Sequence, residues 1–147
     1  PIHSLARILN PLAARCGLQS IFHPGYQAVH REASQLLGDH AIVVKGDGGE
    51  IELNPDAVCH LYGTERGENW DEDWPMLSER RHVKPERLDP THLQAVWRGE
   101  AEDAYGQLAI IATMALALRG LGLQREAAFA EAEKRWQARH LSSQPIR

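Results

Sequence analysis

The sequence predicts an α/β fold with C-terminal helices. Two candidate strands, Leu18–Phe22 and Ala41–Lys45, enclose a segment with helical periodicity, His23–Gly38. Strand, helix and strand therefore follow each other within about 28 residues, the length of a βαβ crossover between parallel strands. The last third of the chain carries long apolar and amphipathic helical patterns instead. A βαβ unit followed by helices is the basis of the α/β prediction.

Length and composition bound the class of protein. The 147 residues fit one domain, and 43% hydrophobic with 24% charged residues is ordinary for a globular protein. A net charge of −4 argues against a strongly basic nucleic-acid module without excluding a local basic stripe. Two cysteines, Cys16 and Cys59, are too few for a disulfide framework and favour a cytoplasmic setting. The longest apolar run, Leu108–Leu118, is shorter than the roughly 20 residues of a bilayer span, so we expect no membrane partner.

The elements of the first half are predicted from local signals. Ser4–Leu9 is expected to be a short helix, stopped by a following proline because the residue before proline avoids the α region. In the helix His23–Gly38, Pro24 lies near the first turn and Gly38 closes the end. Ala41–Lys45 is rich in β-branched residues and ends at glycines, as buried strands do. The helix carries an apolar stripe of the kind that faces a core, made of Tyr26, Val29, Ala33, Leu36 and Leu37.

The second half is predicted to begin with irregular structure. Leu61–Pro75 is rich in charge and contains two glycines, so we expect a surface loop. A helix should start at Asp89-Pro90, a cap and first turn. Ala101–Gly122 is apolar nearly all round in its second part and predicts a core helix. The last helix, Gln124–His140, is amphipathic, and four of its side chains are expected to face inward: Ala127, Phe129, Ala132 and Trp136.

The loop after the second strand is the leading candidate for a binding site, because α/β folds bind ligands beyond the carboxyl ends of parallel strands. Glycines there allow close backbone approach and positive φ. The candidate metal ligands are Glu50 and Glu52, with Asp47 as a further hard oxygen donor for magnesium. The alternative is a tight turn with solvated charges. The candidate phosphate- or substrate-binding residues are Lys45, Gly46, Asp47, Gly48 and Gly49.

Three segments, in this order and spacing, resemble the second half of the anthranilate phosphoribosyltransferase family, glycosyltransferase family 3. They are RILNPLA, FHPGYQAVHREASQLLG and AIVVKGDGGEIELNP. The resemblance implies that residues 1–147 are the C-terminal portion of the larger α/β domain of a nucleoside phosphorylase/phosphoribosyltransferase-type fold, with the N-terminal half of the family absent. The chain also starts at Pro1 and not at an initiator methionine, which predicts a piece of a longer protein.

Two departures from the family pattern bear on catalysis. At the segment that corresponds to AIVVKGDGGEIELNP, members of the family have the motif V-V-H-G-x-D-G-L-D-E. The Asp-Glu pair of this motif helps to bind the magnesium that carries phosphoribosyl pyrophosphate. Aligned without gaps, that pair falls on Ile51 and Glu52, and isoleucine cannot ligate a metal; a one-residue shift would offer Glu50 instead. The family's histidine is Lys45 in this chain. We therefore assign no catalytic residue and expect magnesium only if the protein is catalytic.

Finer details are more similar to the YbiB-type branch of the family, namely K-G-D-G-G-E-I-E-x-N-P and V-W-R-G-E-x-E-D-x-Y-G. That resemblance implies a homodimer with the transferase fold, for which sequence-independent nucleic-acid binding is the favoured role. The alternative is a glycosyl- or phosphoribosyltransferase that uses phosphoribosyl pyrophosphate and magnesium, with its site completed by the missing half. Such catalysis would be electrostatic, through stabilisation of the departing pyrophosphate.

One dense basic cluster lies between the predicted loop and the next helix. Basic side chains of this kind contact phosphates without reading sequence, although a solvated face is the alternative. The candidate nucleic-acid-binding residues are Lys45, Arg80, Arg81, Lys84 and Arg87.

Aromatic and metal-ligating residues give weaker signals. Trp70, Trp74 and Trp97 have rings that can stack on bases, and the alternative is that they fill the core or pin loops. Zinc is not expected, because the cysteines and histidines lack finger spacing. The set considered was Cys16, His23, Cys59 and His60. His30 is expected on a helix surface, with His23 as a helix cap.

Overall fold

The computed structural model of the protein describes residues 5–46, 51–79, 81–83 and 89–139. Within these ranges a four-stranded mixed sheet is packed with helices, so the predicted α/β fold is confirmed. The strands, in their order across the sheet, are β1 Gly17–Ile21, β2 Ala41–Lys45, β3 Cys59–Glu65 and β4 Glu68–Trp74. The helices are α1 Gln27–Leu37, preceded by a 3-10 turn at Pro24–Tyr26, α2 Pro90–Arg98, α3 Ala104–Gly120 and α4 Arg125–Gln137.

β1 and β2 form the predicted parallel pair. Their register runs from Gly17 opposite Ala41 to Ile21 opposite Lys45. α1 connects them and ends at Gly38, whose φ of 73° is left-handed and whose N–H donates to carbonyls of the last helical turn. A side chain is strained in that conformation, which explains why glycine closes the helix. The predicted β1–α1–β2 succession is therefore confirmed, with β1 shifted by one residue.

The predicted surface loop Leu61–Pro75 is wrong, because this segment is the β3–β4 hairpin. A two-residue turn joins the strands, and both of its residues have positive φ, 53° at Arg66 and 81° at Gly67. Such a turn matches the twist of the two strands it connects. Along β4 the less exposed positions Trp70, Glu72 and Trp74 alternate with the exposed Asp71 and Asp73, so the strand pattern is present although the composition resembles a loop.

The hydrophobic core lies between one face of the sheet and helices α3 and α4. α3 lies inside the predicted core helix, and α2 begins as predicted, with Asp89 accepting a hydrogen bond from the Thr91 N–H at 2.9 Å. In α4 the inward positions predicted at residues 129, 132 and 136 are confirmed, but Ala127 is exposed and Ala128 is buried in its place. The largest buried side chains of this core are Ile42, Val44, Leu53, Leu61, Trp74, Leu116 and Trp136.

α1 packs on the opposite face of the sheet with an unexpected orientation. Its polar residues Gln27, His30 and Ser34 are buried against the sheet. The predicted apolar stripe exists but points away from the core, with Leu36 89% and Val29 53% exposed. The sequence periodicity therefore located two faces of the helix correctly, and the assignment of the apolar face to the core was wrong. No helix among the described residues has the length and apolar character needed to cross a membrane.

Candidate phosphate-binding site at the carboxyl edge of the sheet

Lys45 is exposed at the carboxyl end of β2, where its neighbour across the ladder is Ile21. Gly46 is buried, and its N–H donates to the Ile21 carbonyl at 3.2 Å, so the glycine loop leaves the sheet in contact with the end of β1. None of the ion pairs between described side chains involves Lys45. The remaining candidates in this loop lie outside the described residues: Asp47, Gly48, Gly49 and Glu50.

The segment after the glycine loop is fastened to α3 at two points, the middle and the start of the helix. Leu53 is 1% exposed, and its N–H donates to the Thr113 hydroxyl at 3.1 Å. Next to it, Glu52 is exposed and accepts a hydrogen bond from the Tyr105 hydroxyl at 3.3 Å. The segment that follows β2 therefore reaches the beginning of α3 at Glu52.

The described residues alone do not form a magnesium site around Glu52. Within ranges 5–46, 51–79, 81–83 and 89–139, no three His, Cys, Asp or Glu side chains are grouped so that they could hold a metal ion. One oxygen of Glu52 is engaged by Tyr105, and Ile51, 36% exposed, offers no ligand. Glu50, the other candidate ligand, lies outside the described residues.

Asp56 holds part of the basic cluster at this edge. Its carboxylate accepts hydrogen bonds from the Ser78 hydroxyl and, at 2.6 Å, from the His82 N–H. These two bonds, the one from Ser78 first, lower the pKa of Asp56, and the positive charge of Arg81 acts in the same direction. The His82 ring stacks on Tyr105 at a centroid distance of 4.3 Å. His82, the neighbour of Arg81, is therefore held near the start of α3, whereas three predicted members of the cluster lie outside the described residues: Arg80, Lys84 and Arg87.

Three aromatic rings, none of which was predicted from the sequence to stack on a ligand, lie at the end of β1. Phe22 directly follows the strand, and its ring meets His23 edge to face at 5.0 Å. The His23 and Tyr26 rings lie 6.4 Å apart. Phe22 is 54% and Tyr26 57% exposed. His23 holds the N-cap position, as expected, but its side chain makes no capping hydrogen bond. The available signal was F-H-P-G-Y, with exposed rings on both sides of a turn, at the carboxyl end of a strand.

Two of the tryptophans that were candidates for stacking on bases pack against other residues of the fold instead. Trp74 is 1% exposed and packs against Phe129. The ring of Trp70 lies over the face of Gly63, and the Arg119 guanidinium stands 4.4 Å from its centroid. Trp74 therefore fills the core and Trp70 pins the hairpin, as in the alternative to base stacking. Trp97, on α2, is 52% exposed and meets Trp136 edge to face at 6.0 Å.

A network of charged side chains spans the hairpin face that α1 covers. Nδ1 of His60 lies 2.5 Å from Asp73, and its Nε2 lies 3.1 Å from Asp71. Arg31 on α1 bonds both carboxylate oxygens of Asp71 at 3.0 Å. The bond to Asp73, opposed by partial burial and assisted by Asp71, raises the pKa of His60. These carboxylates form an acidic border on the β4 side of Lys45.

A buried polar contact explains how α1 packs with its polar face inward. Gln19 on β1 lies 2.8 Å from Nδ1 of His30, and its amide donates to the Ser34 hydroxyl at 2.9 Å. The surface position predicted for His30 is wrong, since it is 3% exposed. Burial, and then the charge of Arg7, lowers the pKa of His30. Mutual hydrogen bonds compensate the polar groups for lost water, which makes this packing possible.

The residues considered for zinc are separated by the fold. Cys16 precedes β1 at one end of the sheet, and Cys59 begins β3 at the other. Neither forms a disulfide, and burial raises the pKa of each thiol to about 11.

A search with models of known protein families and a search of curated proteins found no match to this chain.

Proposed function

We propose that this chain is the C-terminal part of a YbiB-type protein with the glycosyltransferase family 3 fold, and that it binds nucleic acid without reading its sequence. The observation that carries the proposal is the exposed Lys45 at the carboxyl end of β2, immediately before the glycine loop. An ammonium group in this position meets phosphates as a point charge, and phosphate contacts fix a backbone without selecting bases.

Local charge, and not the net charge of −4, governs such a contact. At physiological salt, exposed charges more than about 8 Å apart are largely screened from each other. A phosphate at the carboxyl edge is therefore attracted by Lys45, whereas the positive charge of Arg81 is partly compensated by the carboxylate of Asp56. The carboxylates of Asp71 and Asp73 are engaged by Arg31 and His60, which reduces their repulsion.

The proposal extends to the setting of the whole protein. A homodimer and a cytoplasmic location are proposed from the family resemblance. Two buried or half-buried thiols that form no disulfide, Cys59 and Cys16, support a reducing compartment.

The test measures binding of the full-length protein to two DNA duplexes of unrelated sequence across a salt series. Equal affinity for both duplexes is expected, with a steep loss of binding as salt rises. Lys45→Gln should weaken binding to both alike and reduce the salt slope by up to about 0.9 for one lost phosphate contact. Lys134→Gln, which removes the same charge from an exposed position on α4, is the matched control and should bind as the parent does.

Two results would contradict nucleic-acid binding: a flat salt response, or no binding even at low salt. Either would leave the transferase alternative, in which phosphoribosyl pyrophosphate occupies the same edge. The observation that favours this alternative is the position of Glu52, held beside the start of α3 by Tyr105 at the edge where α/β folds bind ligands.

A further inference from the structure

The ring cluster formed by Phe22, His23 and Tyr26 is exposed at the same edge as Lys45. Large apolar side chains on a protein surface gain stability when a ligand covers them. Phe22 and Tyr26 are each more than half exposed, and among the described residues neither ring is stacked face to face on another: Phe22 meets His23 at 84°, and Tyr26 is tilted by 59° to His23. Ring faces are therefore open to a planar ligand.

The backbone places the ring cluster directly beside the phosphate-binding edge. Ile21 and Lys45 are partners across the parallel ladder, and neighbouring strands lie about 4.8 Å apart. The Gly46 N–H bonds the Ile21 carbonyl, so Phe22, the next residue, starts where the glycine loop starts. One short stretch of the sheet edge thus carries an exposed cation and open aromatic faces. This is the combination with which proteins bind single-stranded nucleic acids, through the backbone charge and the flat bases together.

We infer that the ring cluster stacks on unpaired bases, so that the ligand of this edge is single-stranded nucleic acid. The inference rests on the proposed function and specifies its ligand. A duplex keeps its bases stacked on each other and offers the rings no base face, whereas a single strand can turn its bases outward. Every base has a π-face, so stacking adds affinity without sequence preference. The rest of the outward stripe on α1 is aliphatic and cannot stack, which confines the site to the end of β1 and the 3-10 turn before the helix.

The test separates stacking from phosphate attraction by removing only the bases. Binding of the full-length protein is measured by fluorescence anisotropy for a labelled oligothymidine and for an abasic strand of the same length. The parent should prefer oligothymidine by about fivefold or more, the lower range for one stacked base. The double variant Phe22→Leu/Tyr26→Leu keeps apolar bulk and loses both rings, so its preference should fall close to one. Its salt slope should stay as in the parent, because no phosphate contact is lost.

Two control variants distinguish stacking from general hydrophobic contact. Tyr26→Phe keeps the ring and should keep the base preference. Leu36→Ala removes an 89% exposed apolar side chain from the last turn of α1 and should also keep it. All substituted positions are exposed, and a circular dichroism spectrum with a thermal melt checks that each variant is folded. If the double variant is unstable, Phe22→Leu and Tyr26→Leu singly should each lower the preference.

The outcomes keep the inference and the proposed function apart. Equal, salt-dependent binding of both strands by the parent would overturn stacking and leave phosphate binding intact. An unchanged preference in the double variant would also overturn it. A double variant that alters self-association in sedimentation, with no change in base preference, would assign the rings to a protein interface and refute the inference. Absence of binding to either strand and to duplexes would refute both proposals.

Discussion

His60 and Asp73 face each other across the β3–β4 hairpin, with Nδ1 of the histidine 2.5 Å from a carboxylate oxygen of the aspartate. The opposite ring nitrogen reaches Asp71, which also binds Arg31 of α1. A protonated His60 donates from both nitrogens, and the network then contains two positive and two negative groups. Loss of that proton leaves two carboxylates with one cation. The hairpin face therefore depends on the protonation state of a single imidazole.

The first prediction follows from the raised pKa of His60. Because the folded-state pKa lies above the unfolded value near 6.5, this group stabilises the fold fully below 6.5 and progressively less as pH rises through the folded pKa. His60→Gln should flatten the fall of Tm on the alkaline side of pH 6.5. His92→Gln, which changes a histidine exposed on α2, serves as the control. Parallel Tm curves for His60→Gln and the parent would refute the prediction.

The second prediction has the opposite sign and concerns His30. Its folded-state pKa is lowered, so the unfolded chain takes up the proton first, and stability should decline as pH falls from about 6.5 through the folded pKa. His30→Gln should remove this acid-side component, whatever its effect on stability at neutral pH. The measurement is the free energy of unfolding by urea at several pH values between 4.5 and 7.5, chosen to bracket an unperturbed histidine. A parent and variant that lose stability equally on the acid side would contradict it.

The third prediction tests the close contact between Gly63 and Trp70. A Cβ atom at Gly63 would stand 1.9 Å from Cε2 of Trp70, so the indole must move and give up its contact with Arg119. Gly63→Ala should lower the free energy of unfolding by about 1–3 kcal/mol, the usual cost of overpacking. Gly25→Ala is the matched control, since nothing lies within 4 Å of its Cβ position. Equal urea midpoints for the two variants would show that the indole does not rest on the glycine.

The fourth prediction concerns catalysis. We expect purified full-length protein to show no magnesium-dependent turnover of phosphoribosyl pyrophosphate with anthranilate, because Ile51 occupies the family's aspartate position and cannot ligate a metal. Product formation is measured with and without magnesium, with an active member of the family as the positive control. Product above background that requires magnesium would support the transferase alternative.

Local sequence signals were sufficient for the β1–α1–β2 unit. The β-branched run of β2 and the proline and glycine around α1 act over a few residues and were interpreted correctly. The hairpin was missed because β4 places charged side chains between its tryptophans, and composition concealed a period of two. Its Arg66-Gly67 turn also lacks the Asn-Gly or Asp-Gly pair that most strongly marks a hairpin.

The orientation of α1 and the ring cluster could not be predicted in the same way. Periodicity shows that a helix has an apolar face, but it does not show which partner covers that face. Here the polar face was selected by Gln19, a side chain 11 residues before His30 on another element. Phe22 and Tyr26 each approach the His23 ring because a 3-10 turn, Pro24–Tyr26, follows His23, and that geometry has no signature in composition.

The two thiols have a practical consequence for chemical labelling. Because the pKa of Cys16 and of Cys59 is about 11, only about one in ten thousand of these thiols is ionised at pH 7. The ionised form, the thiolate, is the one that reacts with maleimides and iodoacetamides. A cysteine introduced at the exposed position 26 has no comparable protection. A fluorophore or spin label can therefore be attached at the carboxyl edge while both native cysteines remain in the chain.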